Sequence, residues 1–432
     1  MVKLGEHPGW QQASRCLTWF FHRLFASFEW MGEYGLKSVA WISHFPVEWW
    51  EGTPTEFRNI PKGHPAVWQR VLLGEFMREH PELEIHIVAL RKTFPRSSTY
   101  RVQNVTFHLI KTVGGLRAPT LFWYDTYLIG RVLRKVRPQL VHCWGTEWGA
   151  PWIAYRLGYP FIVTMQGIIT WCCRVSPPKN LYGKLYFGLS QLCERQMLRK
   201  AILVTTESKY GVNFLKSEFG LTNVWQAEHP PIKLFFQVER RPRVRPLKFL
   251  FVGRASHLKG TDLLLKALDQ IVDIADFEIV VIGSREEPFF SELMGKISPR
   301  LRGRLVLRDV CTTAEVANEL GESTMLLFPT RADTSPNAVK EAAVVGVPVV
   351  ATRVGGIPDY IIDGKNGVLC EPESVEDFAR GIKSALSNPM FSRGAVDPET
   401  CKWVRDYLSP ERMGQRFWEA YCFAAKKLAG TA

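Results

Sequence analysis

Short apolar strand patterns alternate with helical ones twice along this chain, and a proline- and charge-rich segment, residues 240–246 (RRPRVRP), separates the two runs. Before it, residues 38–43 (SVAWIS), 84–90 (EIHIVAL), 102–109, 139–143 (QLVHC) and 160–164 (PFIVT) read as strands, with helical spacing over 67–78, 121–136 and 150–157. Residues 202–206 and 223–226 close this run. After the linker, strands are expected at 247–252 (LKFLFV), 277–282, 304–307, 326–328, 348–351 and 367–370, with helices at 261–271, 313–320, 337–345 and 375–386. Strand, helix and strand in repetition require parallel sheets covered by helices. The fold class is therefore α/β, with two doubly wound units. Such sheets bind ligands outside the carboxyl ends of their strands, so two facing units imply a cleft between them. The chain divides into an aromatic extension (1–36), a first unit (37–239), a second unit (240–409) and a last helix (410–432) expected to pack back on the first.

A chain of 432 residues exceeds what one hydrophobic core organises, which agrees with two units. Charge interrupts every apolar stretch before the ~20 residues that a membrane span needs, and no leader pattern follows the start. Neither a spanning helix nor secretion is expected. Nine cysteines, an odd number without Cys-x-x-Cys or zinc-like spacing, fit a reducing cytoplasm. The net charge of +13 is unevenly spread: +12 up to Phe235 and +1 beyond it, with 13 of the 15 tryptophans at or before Trp225. A basic, aromatic first half suits anionic lipid headgroups, an acidic or phosphorylated acceptor, or nucleic acid. A solvated basic face without a partner is the plainer reading. The chain has no recognisable nucleic-acid module, so nucleic acid is not an expected partner. An apolar stripe over residues 16–28 reads either as an interfacial helix or as a helix packed on the first unit. The expected location is the cytoplasm, with peripheral attachment to the inner face of the membrane as an extension of that reading.

Chemistry is concentrated in the second unit. Gly253 and Arg254 follow the strand LKFLFV, and Lys259-Gly260 opens the next helix, which puts two cations and a flexible turn where a diphosphate would meet a helix N-terminus. Neither a Walker loop nor Gly-x-Gly-x-x-Gly is present. The stretch 328–356 (FPTRADTSPNAVKEAAVVGVPVVATRVGG) carries Asp333 in a loop and Glu341 inside the helix that this loop starts. Ser335-Pro336 is a helix-start signal, leaving the first-turn amides of Asn337 and Ala338 free to face an anion. Glu341, one turn further in, suits the two hydroxyls of a ribose. A capped helix with a solvated glutamate is the alternative. In the first unit, His142 and His229 read as structural, and residues 171–184 read as an acceptor loop or an irregular surface connection.

GRASHLKGTDLLLKAL, the Asp333 and Glu341 pair, and EAAVVGVPVVATRVGGIPDYI resemble the family 4 retaining glycosyltransferases (glycosyl transferases group 1), and VRPQLVHCWGTEWGAPWIA with YPFIVTMQGI resembles that family's first domain. The resemblance implies the GT-B fold, two facing Rossmann-like domains with the active site between them. It implies a nucleotide-diphosphate-sugar donor, a sugar or lipid-linked acceptor, and no metal or other cofactor. By the same resemblance Arg254 and Lys259 bind the donor diphosphate, Glu341 the ribose, and Asp333 lies beside the transferred sugar with Gln166. Gly253, Asn337 and Ala338 complete the donor contacts, while His64, Trp144 and Glu147 are candidate acceptor or diphosphate contacts. The sequence also departs from the family's pattern: Asp333 replaces the family's usual Glu, Pro336 stands where Gly is frequent, and Gln166 stands where many relatives have His. The Gly-Gly turn after the first strand is represented only by Gly63-His64-Pro65. A catalytically inactive nucleotide-sugar-binding protein of the same fold is the rival reading.

Overall fold

The computed structural model describes residues 35–61, 66–113, 120–175, 177–178 and 180–430. Most of the extension 1–36 and the segment Gly63-His64-Pro65 lie outside the described residues.

The first sheet has eight strands: β1 (Ser38–Ile42), β2 (Glu84–Arg91), β3 (Ser98–Val102), β4 (Val105–Lys111), β5 (Leu140–Trp144), β6 (Phe161–Thr164), β7 (Val204–Thr206) and β8 (Val224–Gln226). Their order is β3-β4-β2-β1-β5-β6-β7-β8. All neighbours pair in parallel except β3 and β4. The strand expected at 102–109 is thus two strands joined by a tight turn at Gln103 and Asn104. Gln103 adopts φ +54°, and Ser98–Val102 alternates between half-buried and exposed, the pattern of an edge strand with one face to water.

The second sheet has six parallel strands in the order β11-β10-β9-β12-β13-β14: β9 (Leu247–Val252), β10 (Phe277–Ile282), β11 (Leu305–Arg308), β12 (Met325–Phe328), β13 (Val349–Thr352) and β14 (Gly367–Cys370). Its strands are near-continuous apolar runs because helices cover both faces. The linker is fastened to this unit. The Arg240 guanidinium donates to the carbonyls of Gly321 (3.1 Å), Ser323 (2.8 Å) and Gly394 (2.5 Å), and the Arg241 and Arg243 amides bond to the carbonyls of Gly321 and Glu322.

Pro410–Ala429 is a 20-residue helix whose Met413, Phe417, Ala420, Tyr421 and Ala424 lie in the core of the first unit. The buried Tyr421 hydroxyl accepts from Trp41 Nε1 (2.7 Å) and shares a hydrogen bond with His142 Nδ1 (2.8 Å). His142 Nε2 continues to Thr164 Oγ1 (2.6 Å), and Thr164 to Thr205 Oγ1 (2.7 Å). Burial holds the His142 imidazole well below its ordinary pKa. A neutral ring placed between a phenol and a threonine is structural. Tyr421→Phe leaves the Trp41 N–H and one His142 nitrogen buried without a partner, so it should lower stability by about 1–3 kcal/mol. Chemical denaturation measures this, and an unchanged midpoint would show the chain of bonds to be dispensable.

Two further expectations are corrected. Residues 171–184 are not an irregular loop: they fall mainly in the helices Ile169–Val175 and Leu181–Lys200, whose break coincides with Pro177 and Pro178. Trp144, expected as an acceptor or diphosphate contact, is 1% exposed and stacked on His142 and Phe417, because alternate residues of the fully buried β5 face the core.

Candidate active site

The second unit brings its expected residues to the carboxyl ends of β9 and β12, where the strand order reverses direction: β10 lies on one side of β9 and β12 on the other. Gly253 and Arg254 leave β9, and Lys259 stands just before the helix Thr261–Asp269. The loop after β12 carries Asp333 and leads into the helix Asn337–Val345. Lys259 Nζ pairs with the Asp333 carboxylate and lies 5.8 Å from the centre of the Phe328 ring. Arg254 is exposed and makes no hydrogen bond or ion pair with any described residue. One cation is thus held in place and the other is available.

The Asp333 loop is braced from both sides. Arg331, 9% exposed, forms a two-pronged pair with Asp262 (2.7 and 2.9 Å) and a second pair with Glu373 (2.8 Å). On the other side Gly355, at φ +52°, passes so close that a Cβ there would collide with the Asp333 carbonyl oxygen, and the Gly356 amide donates to the Thr334 carbonyl (2.7 Å). Only glycine allows that approach.

Pro336 is the N-cap of the helix Asn337–Val345 and supplies no side-chain cap, so the first-turn amides at the half-buried Asn337 and Ala338 are left for another acceptor. Glu341 is half-buried and bonds to no described residue. Burial pushes its carboxyl up to about 7, with the Lys340 charge pulling the other way. An uncompensated carboxylate in such a place is suited to a pair of hydroxyl donors.

The first unit contributes loops from the carboxyl ends of β5 and β6. Gln166 is half-buried just after β6, and Glu147 follows β5. A Cβ on Gly167 would lie 3.2 Å from Glu147 Oε1, which places the carboxyl directly beside the Gln166-Gly167 turn. Glu147 Oε2 is buried with no hydrogen bond to any described residue, and burial raises the carboxyl to about 7 against the pull of nearby amides. Glu194, 2% exposed, frames this corner: it accepts from Thr146 Oγ1 (2.8 Å), Ile169 N (3.0 Å), Thr170 N (3.1 Å) and Thr170 Oγ1 (2.9 Å). It thereby ties the loop after β5 to the helix after β6. His64 lies outside the described residues. Among the described residues no group of three or more His, Cys, Asp or Glu is arranged to hold a metal ion.

Sequence reasoning missed Glu194, Glu207 and Lys340. Lys340 directly precedes Glu341, yet its neighbour gives no hint of its partner. Glu207 Oε2 lies 3.0 Å from Lys340 Nζ across the two units.

Two facing doubly wound units with a site at a strand-order reversal define the GT-B class. The sucrose-phosphate synthase of Thermosynechococcus elongatus shares this fold, with a TM-score of 0.72 at 14% identity over 92% of this chain and 100% of that one. Residues 246–388, most of the second unit, match the family described as Glycosyl transferases group 1. A D-inositol 3-phosphate glycosyltransferase of Thermobifida fusca is 28% identical over 153 residues, 33% of this chain and 35% of that protein. A 2-deoxystreptamine glucosyltransferase of Streptomyces kanamyceticus is 25% identical over 270 residues, 58% of this chain and 68% of that protein. The match thus spans about a third of the first relative and two thirds of the second.

Proposed function

We propose that this chain is a retaining glycosyltransferase that moves a sugar from a nucleotide-diphosphate donor, bound by the second unit, to an acceptor held mainly by the first (37–239 with the helix of 410–432). The observation that carries this reading is that the Lys259 and Asp333 pair, and Glu341 with no partner among the described residues, lie on the loops and helix that leave the reversal point of the second sheet. Arg254 and Lys259 hold the diphosphate, with Gly253 and the amides of Asn337 and Ala338 beside it. Glu341 accepts from the ribose hydroxyls. Asp333 bonds the hydroxyls of the transferred sugar, and Gln166 supports the ring from the first unit.

A glutamine cannot take a proton at neutral pH, so the chemistry is assigned to the substrates. The bond from the anomeric carbon to the donor phosphate breaks as the acceptor oxygen attacks from the same face. The acceptor proton passes to the departing phosphate oxygen. The protein supplies orientation and cations that offset the charge growing on the diphosphate, and no step calls for a metal. Glu147, with its raised pKa, is the first unit's candidate acceptor contact.

An anionic membrane surface is the proposed second partner, which suits a lipid-linked acceptor and attachment at the inner face. On the helix Leu181–Lys200, Leu181, Tyr182, Leu185 and Leu192 are exposed beside Lys184, Arg195, Arg199 and Lys200, while its single acid, Glu194, is buried. Among the described residues no helix is long and apolar enough to cross a membrane, so the association would be superficial. The protein should sediment with anionic vesicles more than with neutral ones, in a salt-sensitive way. Leu185→Glu should weaken that binding, and equal sedimentation with both vesicle types would exclude it.

A thermal-shift screen against UDP-, GDP- and ADP-sugars identifies the donor, since a ligand at a hundred times its Kd adds about 2.7 kcal/mol to the native state. Transfer that keeps the donor's anomeric configuration, followed by NMR, supports the proposal. An inverted product excludes the retaining reaction, and donor binding without turnover of any acceptor favours the inactive binding protein.

A further inference from the structure

The seam between the two units is organised around one carboxylate. Glu207 follows β7 in the first unit, and its side chain is 9% exposed. Lys340 Nζ, from the second unit and 1% exposed, lies 3.0 Å from Oε2, and Thr334 Oγ1 donates to Oε1 at 3.1 Å. Behind it, His229 Nδ1 lies 3.5 Å from Oε2, and the His229 ring stacks on Trp68 at 5.6 Å. Burial would raise the Glu207 carboxyl, but the Lys340 charge and the His229 contact outweigh it and hold it down at about 2.

Both contacts have a particular place in the chain. Thr334 directly follows Asp333, and Lys340 directly precedes Glu341. A single first-unit carboxylate therefore holds the immediate neighbours of both proposed donor carboxylates. The residues around it are clasped as well. A Cβ on Gly356 would come within 2.7 Å of Ser208 Cβ, and Asp359 Oδ2 accepts from Lys209 N (2.7 Å) and Gln226 Nε2 (3.0 Å).

Stability alone is a poor reason for such a pair. Desolvating two charges offsets most of their attraction, and apolar replacements of like volume are frequently as stable. What the pair does supply is direction: an ammonium and a hydroxyl from one element converge on a carboxylate of another, which sets how the two units meet.

We propose that Glu207 is a positioning residue for transfer: through Thr334 and Lys340 it sets where the segment from Asp333 to Glu341 stands relative to the acceptor face of the first unit. This rests on the reading of Asp333 and Glu341 as donor carboxylates. The nucleotide contacts lie within the second unit and form whether or not the seam is set. Loss of the seam should therefore slow transfer more than it weakens nucleotide binding.

The test uses the full chain, the nucleoside diphosphate of the donor found by the screen above, and the variants Glu207→Gln, Lys340→Met, their double, Lys340→Arg and Thr334→Val. Each single loss of a partner should lower kcat on the order of tenfold or more. The Kd of the nucleoside diphosphate, by calorimetry, should stay at the wild-type value. The double variant should lose no more than the worse single one, because the two residues act as one unit. Lys340→Arg should recover part of kcat. Thr334→Val removes one hydroxyl at nearly constant shape, so it reads the same effect in a folded protein even if the charge variants do not fold. Unchanged kcat in Thr334→Val and in every folded charge variant would overturn the proposal. So would an additive double, or a Kd that rises in proportion to the loss in kcat. Glu341→Ala separates the two readings: nucleoside diphosphate affinity that survives this change refutes the donor site itself, whatever the seam variants do.

Discussion

Glu341→Ala should weaken nucleoside diphosphate binding about ten- to a hundredfold, because it removes the proposed charge-assisted contact to the ribose, worth roughly 1.5–3 kcal/mol. The isosteric Glu341→Gln should also make the unliganded protein more stable, since the native carboxylate is half-buried and has no partner among the described residues. The direction with pH follows from its raised pKa of about 7. Below about pH 4.5 the group is protonated in both the folded and the unfolded chain and costs nothing. As pH rises from there, the unfolded chain loses the proton first, the folded protein holds it, and stability falls until about pH 7, above which the penalty is constant. Glu341→Gln should therefore exceed wild type by on the order of 2 kcal/mol at pH 8 and match it near pH 4.5. Bound donor should close the gap, because the ribose supplies the missing hydrogen bonds. Thermal unfolding at the two pH values, with and without nucleotide, reads all of this. A variant no more stable than wild type at pH 8 would mean that the carboxylate already has a partner.

Arg254→Ala and Lys259→Ala should each lower turnover by about a hundredfold or more, the scale of losing one group aimed at charge that develops in the transition state. The two should differ in character. Arg254 is exposed and unpaired among the described residues, so its loss should leave the rest of the site intact. Lys259 also balances Asp333, so Lys259→Ala leaves a carboxylate facing the diphosphate without a counter-charge and should weaken donor binding as well. Asp333→Asn should lower kcat more than it raises the donor KM, because a misplaced sugar loses transition-state geometry before it loses affinity. Turnover should persist in EDTA. Its abolition would argue for a metal at the diphosphate and against the paired cations.

The alternation of strand and helix, the break in it at residues 240–246, and the position of the candidate residues at strand ends were all legible in the sequence. So was the spacing of Asp333 and Glu341. Apolar periodicity, helix starts and turn residues act over a few positions, and in this chain they agree with one another. Even there the local signal had gaps. The turn at Gln103 and Asn104 carries no glycine, so two antiparallel strands read as one. Residues 171–184 mix aromatics, prolines and cations, which hid two helices separated by Pro177 and Pro178.

Only the tertiary structure decided which polar groups are left alone and which are satisfied. Trp144 and His142 sit on a strand that leads to the cleft, yet the helix Pro410–Ala429, some 270 residues further on, covers both and turns them into core. Glu147 and Glu341 are ordinary carboxylates in sequence and acquire pKa values near 7 from what packs over them. Glu207 and Lys340 are separated by 133 positions, and nothing near either one names the other. A pattern of apolar residues specifies an element because its neighbours in sequence are its neighbours in space. The charge state and orientation of a buried side chain depend instead on distant segments brought against it, and those meet only once the two sheets and the last helix have closed on one another.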